Sequence, residues 1–149
     1  DMRKGELFME DRAQTARELH EQKYNCAQAV ACAYCDLVGM DRETMFKVSE
    51  GFGGGMGGFE QVCGAVSGAV MLAGLKNSSG APADPPTKQG TYALARKILQ
   101  AFEEKNGSLI CKELKGMESG CVLRSCPGCI EDACRIVEDV VFGAPRPIE

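Results

Sequence analysis

The segment from residue 51 to residue 74, GFGGGMGGFEQVCGAVSGAVMLAG, constrains the fold more than any other part of this chain. Six glycines stand between positions 51 and 58. Because glycine has no side chain, such a run indicates positive φ angles, close approach of the backbone to a neighbour, or both. From Gln61 onward, small apolar residues recur with helical spacing and leave room for another helix to pack closely. The segment therefore predicts a tight loop followed by a central helix of small residues.

Cys63 stands at the junction between the glycine run and this helix. The first turn of a helix has unpaired N–H groups and the positive end of the helix dipole, and both favour a thiolate over a thiol. This position predicts a reactive or metal-bound sulfur, although a buried cysteine also commonly serves as a small apolar residue. The run lacks the Lys and Ser/Thr of a phosphate-binding loop, so we do not expect a nucleotide site.

The charge pattern limits the classes of partner. The net charge is -4, and Lys and Arg are scattered among the acidic residues, so we expect no binding to nucleic acid. No apolar run approaches the ~20 residues that cross a bilayer, and the N-terminal residues lack the apolar core of a signal peptide. We therefore expect no membrane span and a cytoplasmic location. A length of 149 residues predicts a single domain over residues 1–149.

Nine cysteines are the most unusual feature of the composition. An odd count without an export signal favours reduced thiols used for metal or redox chemistry over a disulfide framework. Aromatic residues make up only 6% of the chain and Trp is absent, which suits closely packed helices better than a sheet. The predicted fold is all-α, a single-domain bundle of about five to six helices around the small-residue helix.

Helical periodicity and capping residues divide the rest of the chain. They predict helices over residues 5–22, 26–39, 41–48 and 91–105, a short helix carrying Cys111, and a final helix capped by Ser125 or Cys126. His20, near the end of the first helix, is expected at the surface. Cys32 and Cys35 form a CxxC pair in the middle of a helix, and Cys134 lies on an apolar stripe, so we expect these three to pack in the core.

Four other cysteines share one position relative to secondary structure. Each lies at or near the predicted start of a different helix: Cys26, Cys63, Cys111 and Cys126. If those helix ends converge, the thiolates form one soft-ligand site for zinc, copper(I) or an iron–sulfur cluster. Cys129, in the sequence CPGC, is the main rival to Cys126 for the fourth position.

The same segments carry a family resemblance. They are Asn25-Cys26-Ala27-Gln28, the glycine run over residues 51–57, CGAVSG over residues 63–68, Cys111-Lys112-Glu113-Leu114 and Cys126-Pro127. In this order they resemble the family of redox-active proteins named for a C, CGAxxG, C, C pattern, over nearly the whole chain. The chain is also similar to the N-terminal part of split-Soret cytochromes c, in which an iron–sulfur or iron site is associated with the cysteines. It departs from the family by five extra cysteines and by Glu60 and Gln61 before the CGAxxG motif.

Three functional hypotheses follow. The first is an electron-transfer protein in which Cys26, Cys63, Cys111 and Cys126 hold an iron–sulfur cluster. Backbone N–H groups of glycines would then approach the sulfurs: Gly53, Gly54, Gly55, Gly57 and Gly64. The second is a dithiol/disulfide oxidoreductase that uses the same four cysteines or Cys129. The third is a structural or interaction module with zinc or no metal at the thiols. A redox protein or another electron carrier would be the partner, and the small-residue helix faces would allow a homodimer.

Overall fold

A computed structural model of the chain describes residues 2–143, with side chains from Arg12 onward. The described part contains seven α-helices: α1 Met2–Glu21, α2 Cys26–Ala33, α3 Arg42–Ser49, α4 Gly64–Asn77, α5 Lys88–Asn106, α6 Cys111–Lys115 and α7 Cys126–Val137. No strand occurs in these residues, and one isolated antiparallel bridge joins Val62 to Ile110. The predicted all-α bundle is confirmed, with seven helices instead of about five to six.

Helix α4 occupies the centre of the bundle and packs against α2, α5 and α7. Its buried residues are mostly small: Gly64, Ala65, Val66, Gly68, Ala69, Leu72 and Ala73. A Cβ added to Gly68 would lie 2.8 Å from the backbone oxygen of Ala27, so α2 and α4 touch through their backbones. The central small-residue helix is thus confirmed. Its small face packs against other helices of the same chain.

Capping residues determine where three helices begin. The Asn25 side chain accepts from the Gln28 N–H at 2.9 Å, and the Gln28 side chain accepts from the Asn25 N–H at 2.9 Å. Asp41 accepts from the Thr44 N–H before α3, and Ser125 caps α7 in the same way. Each such bond satisfies a helix N–H that has no partner within the helix. The predicted starts of α2, α3 and α7 are confirmed.

The end of α2 differs from the prediction. A single helix was expected to run to residue 39, but α2 stops at Ala33 and a 3-10 turn, Cys35–Val38, follows. Tyr34 at the break is fully buried, and its hydroxyl donates to the Glu138 carboxylate at 2.5 Å. This tertiary contact accompanies the non-helical backbone of Tyr34. Leu37, in the 3-10 turn, is 39% exposed.

The glycine loop between α3 and α4 has an unusual backbone. Positive φ angles occur at Gly54, Gly55, Met56, Gly57 and Phe59. A Cβ on Gly53 would lie 2.3 Å from Cγ of Asn25, and one on Gly55 would lie 2.6 Å from Cβ of Cys111. The loop therefore shows both the positive φ angles and the close backbone approach that the glycine run predicted.

Helix α1 packs against α2 and α7. Its predicted apolar residues Ala13, Ala16 and Leu19 are buried, whereas Leu7 and Phe8 lie outside the side chains that the structure describes. None of the helices, as far as they are described, has the length and apolar character needed to span a membrane.

Candidate functional site

A cavity of about 170 Å³ lies where the starts of α2, α4, α6 and α7 meet the glycine loop and the end of α1. Its lining residues are His20, Asn25, Cys26, Gly54, Phe59, Cys63, Cys111, Leu114, Lys115, Arg124, Cys126 and Cys129. Five of the nine cysteines of the chain therefore surround one space.

The cavity cysteines occupy helix starts, as predicted. Cys26 is the first residue of α2, Cys63 immediately precedes α4, Cys111 opens α6 and Cys126 opens α7. Cys129 follows one turn later in α7. The fold brings these five sequence-predicted thiols to one cavity. The lining does not include Cys32, Cys35, Cys121 or Cys134.

Backbone hydrogen bonds hold two of these helix starts side by side. The Cys63 N–H donates to the Leu109 carbonyl at 2.8 Å, and the Cys111 N–H donates to the Gln61 carbonyl at 2.9 Å. These bonds flank the isolated bridge between Val62 and Ile110. The segment before α4 is thereby fixed against the segment before α6, which places Cys63 and Cys111 on the same wall.

Glycines allow the backbone to approach the thiols. A Cβ on Gly64 would lie 2.5 Å from Sγ of Cys26, and the N–H of Gly54 hydrogen-bonds to the Cys26 sulfur. A Cβ on Gly55 would lie 2.6 Å from Cβ of Cys111. Gly53 instead packs against Asn25, and a Cβ on Gly57 would meet no atom within 4 Å. Gly54, Gly55 and Gly64 are thus in contact with cavity cysteines, whereas Gly53 and Gly57 are not placed against them.

The acidities of three cavity thiols differ from the sequence expectation. Hydrogen bonding to Cys63 and burial raise the pKa of Cys26 above its ordinary value. Hydrogen bonding to Cys129 and burial raise the pKa of Cys63 to about 12, although its hydrogen bond with Cys26 acts in the opposite direction. Burial also raises the pKa of Cys111. The expectation that the start of α4 favours a thiolate at Cys63 is therefore wrong for the free thiols, because burial and thiol–thiol contact outweigh the helix dipole.

Three basic side chains that sequence reasoning missed also line the cavity: His20, Lys115 and Arg124. His20 was expected at the surface, but it is half-buried and its Nδ1 lies 3.0 Å from the Tyr24 carbonyl oxygen. Lys115 follows Cys111 by four residues, a spacing that puts both side chains on one face of α6. That spacing is a signal from which Lys115 could have been found.

Arg124 is anchored by a buried carboxylate. Its Nε donates to Oδ2 of Asp132 at 3.0 Å, and Lys105 donates to Oδ1 at 2.6 Å. Asp132 is only 1% exposed. Burial alone would raise the pKa of Asp132, but the hydrogen bonds from Arg124 and Lys105 outweigh burial and lower it. The segment before α7, which leads to Cys126, is thereby fixed to α5 and α7.

The donor set fits a sulfur-ligated group. Thiols are the dominant ligands on the wall, and neither Asp nor Glu is among the lining residues. Across the described side chains, no three His, Cys, Asp or Glu groups have the arrangement that holds a single metal ion. A tetrahedral zinc, with Zn–S bonds of ~2.3 Å, requires sulfurs only ~4 Å apart. Some of the cavity thiols lie close together, since Cys63 contacts both Cys26 and Cys129.

The cysteines outside the cavity have different surroundings. Cys32 and Cys134 are 1% and 0% exposed and belong to the hydrophobic core together with Cys35. Burial raises the pKa of Cys32 to about 11 and that of Cys134 to about 12. Cys121 is exposed in the connection between α6 and α7. The three core thiols therefore pack as small apolar side chains.

Comparison with known proteins agrees with the cysteine pattern. A family model described as "Putative redox-active protein (C_GCAxxG_C_C)" matches residues 24–140, which include all five cavity cysteines. No curated protein and no solved structure matched the chain, and the expected similarity to split-Soret cytochromes c is not shown by these comparisons. Because the family model covers well over half of the sequence, the chain belongs to the C_GCAxxG_C_C family of redox-active proteins.

Proposed function

We propose that this protein transfers electrons through an iron–sulfur cluster held in the cavity by Cys26, Cys63, Cys111 and Cys126. The observation that carries the proposal is the gathering of thiols from four separate helix starts around one cavity whose lining includes no carboxylate. Thiolates are the usual ligands of such clusters. Membership of a redox-active family points to the same class of function.

The surrounding residues would support this role. When bound, an iron–sulfur cluster accepts and releases single electrons, and each reduction adds one negative charge at the site. The Gly54 N–H donates to the Cys26 sulfur, and such hydrogen bonds favour the more negative, reduced form. Leu114, which is 2% exposed, and the ring of Phe59, which is 38% exposed, provide apolar parts of the wall.

Cys126 is the stronger candidate for the fourth ligand. It is half-buried at the first position of α7 and hydrogen-bonds to Lys115. Cys129 is only 3% exposed, and its Sγ lies 3.9 Å from the Arg124 carbonyl oxygen while it also contacts Cys63. We assign the ligand role to Cys126, because it is the more accessible of the two and opens its helix, as Cys26 and Cys111 open theirs.

A reducing compartment would suit this protein. All nine cysteines are free thiols in the structure, and cytoplasmic conditions keep thiols reduced. The proposed location is therefore cytoplasmic, and the proposed partner is an electron-carrier protein that donates one electron per encounter and is itself oxidised.

Reconstitution with ferrous iron and sulfide under anaerobic conditions tests the proposal. We expect visible absorption, together with iron and acid-labile sulfide in equal amounts. Cys126→Ser should lose most of the iron, whereas Cys129→Ser and the exposed control Cys121→Ser should retain it. A wild-type protein that stays colourless and free of iron would contradict the cluster, and loss of iron in Cys129→Ser but not in Cys126→Ser would reverse the ligand assignment.

A dithiol/disulfide function is the second candidate, because Cys63 hydrogen-bonds to both Cys26 and Cys129. Oxidation would join two of these sulfurs and release two protons and two electrons to an oxidised thiol–disulfide partner. Titration of the metal-free protein with glutathione buffers, followed by mass spectrometry, tests this function. A reversible disulfide between Cys63 and a neighbour would support it, and thiols that stay free at oxidising ratios would exclude it. A zinc module would instead show a large fall in melting temperature on chelation.

A further inference from the structure

The cavity wall carries basic groups but no acidic ones, in a chain that has 21 Asp and Glu against 17 Lys and Arg. Among these basic groups, Lys115 is the one whose charge interacts with several cavity thiols. It lines the cavity together with Cys126, Cys111 and Cys26. Burial alone would lower the pKa of Lys115, but these three thiols raise it. It also lies 5.5 Å from the centroid of the Phe59 ring.

The other cations near the cavity have carboxylate partners. Arg124 donates to both oxygens of the buried Asp132, at 3.0 and 3.3 Å, and shares this carboxylate with Lys105, so its charge is partly offset. Lys112, on the same short helix as Lys115, pairs with Glu60 at 2.9 Å and with Glu118 at 3.1 Å. Within residues 12–143, Lys115 forms no ion pair with a carboxylate, so its charge remains available to the cavity.

The loop holds an aromatic ring beside this ammonium. Phe59 has φ 65, a left-handed conformation that a non-glycine residue rarely adopts. A Cβ at Gly54 would lie 3.6 Å from Cε1 of Phe59, so the ring packs on the glycine backbone. Phe59 and Leu114 contribute apolar surface to the cavity wall. Apolar surface beside a charge weakens the screening of that charge by water.

We propose that Lys115 is a positioning residue that sets the reduction potential of the site by supplying a positive charge next to the cysteine ligands. This inference rests on the proposed function. Each electron delivered by a reduced carrier protein adds one negative charge at the cavity, and no bond forms or breaks. A fixed ammonium nearby stabilises that added charge. With an effective dielectric constant of ~40 and a separation of ~6 Å, the interaction changes the reduction equilibrium about tenfold, or ~59 mV for one electron.

Redox titration of the reconstituted protein tests this role. Lys115→Gln should lower the reduction potential by ~59 mV, which corresponds to a tenfold change in the reduction equilibrium. The charge-conserving Lys115→Arg should keep most of the wild-type potential. Lys112→Gln is the matched control, because it removes the same charge from the same helix at a site outside the cavity. An unchanged potential in Lys115→Gln, or an equal shift in Lys112→Gln, would overturn the inference.

A second readout needs no metal. Iodoacetate is anionic and iodoacetamide is neutral, and both alkylate the thiolate, so their rate ratio at Cys126 reports the local potential independently of the thiolate fraction. At ~5.5 Å even in bulk water, one charge changes this ratio roughly threefold. We expect the ratio to fall about threefold in Lys115→Gln and to stay unchanged in Lys112→Gln.

The two readouts separate the possible failures. If no cluster forms, the proposed function fails, and the alkylation ratio alone decides whether Lys115 acts on the thiols. If the cluster forms but neither the potential nor the ratio responds to Lys115→Gln, the inference about Lys115 is overturned while the proposed function stands.

Discussion

Helices α2 and α7 each carry cysteines in two different settings. Cys26 and Cys126 open their helices and line the cavity, whereas Cys32 and Cys134, in the bodies of the same helices, are packed in the hydrophobic core. The residue type is the same, so position within the helix makes the difference. A side chain at a helix start projects where several chain segments meet, while one in the body faces the neighbouring helices. Cysteine number alone therefore says little about function in this protein.

The largest predicted effect separates these two groups by iron content. Cys63→Ser and Cys111→Ser should reduce bound iron after reconstitution by more than about tenfold, since removing a ligand typically costs at least as much as the 10- to 100-fold loss from changing its supporting groups. The core variants Cys32→Ala and Cys134→Ala should bind as much iron as the wild type. Equal iron loss in core and cavity variants would show that the two groups of cysteines do not differ in iron binding.

A glycine substitution tests whether the cavity depends on close backbone approach. In Gly64→Ala the new Cβ would lie 2.5 Å from Sγ of Cys26 and 3.0 Å from the backbone oxygen of Phe52. We expect a loss of about 1–3 kcal/mol in the free energy of unfolding, typical of overpacking. Gly51→Ala is the control, because a Cβ there meets no atom within 4 Å and Gly51 has no positive φ. Urea unfolding of the two variants provides the measurement, and equal stability would show that Cys26 moves aside freely.

A third prediction concerns the core cysteines alone. Cys134→Ala removes a fully buried sulfur and should lower the free energy of unfolding by about 1–2 kcal/mol, as expected for a small cavity in a packed core. Cys121→Ala, at an exposed position, should change it by less than about 0.5 kcal/mol. Thermal unfolding of the metal-free proteins would measure both effects. If the Cys134→Ala protein is as stable as Cys121→Ala, Cys134 does not contribute to the packing of the core.

The smallest predicted effect is a pH dependence at Asp132, which anchors Arg124 at the cavity. Its pKa in the folded protein is lower than its ordinary value of 3.8, because hydrogen bonds from Arg124 and Lys105 outweigh its burial. The stabilisation is therefore complete above about pH 4 and is lost as the pH falls through the folded-state pKa. The difference in melting temperature between wild type and Asp132→Asn should shrink as the pH is lowered from 6 to 3. A difference that grows on acidification would contradict this sign.

Much of the bundle could be predicted from the sequence because local signals determine it. Caps at Asn25, Asp41 and Ser125 mark helix starts through bonds to residues two or three positions away. The placement of Cys26 and Cys126 at the first positions of their helices follows from the same caps. The small residues of α4 likewise predicted a central, closely packed helix.

Features that depend on distant parts of the chain could not be predicted in this way. The early end of α2 coincides with burial of Tyr34 and its contact with Glu138, which lies 104 residues away. His20 reaches the cavity only because α1 ends there. The raised pKa of Cys63 depends on its contacts with Cys129 and Cys26, and no periodicity reveals such contacts.

X-ray absorption at the iron edge of the anaerobically reconstituted protein tests the central claim most directly. We expect a first coordination shell made only of sulfur, with a second iron as the next neighbour, and no change of this signal in Cys134→Ala. A shell dominated by nitrogen or oxygen, or a single iron without an iron neighbour, would contradict the claim that the five-cysteine cavity holds an iron–sulfur cluster.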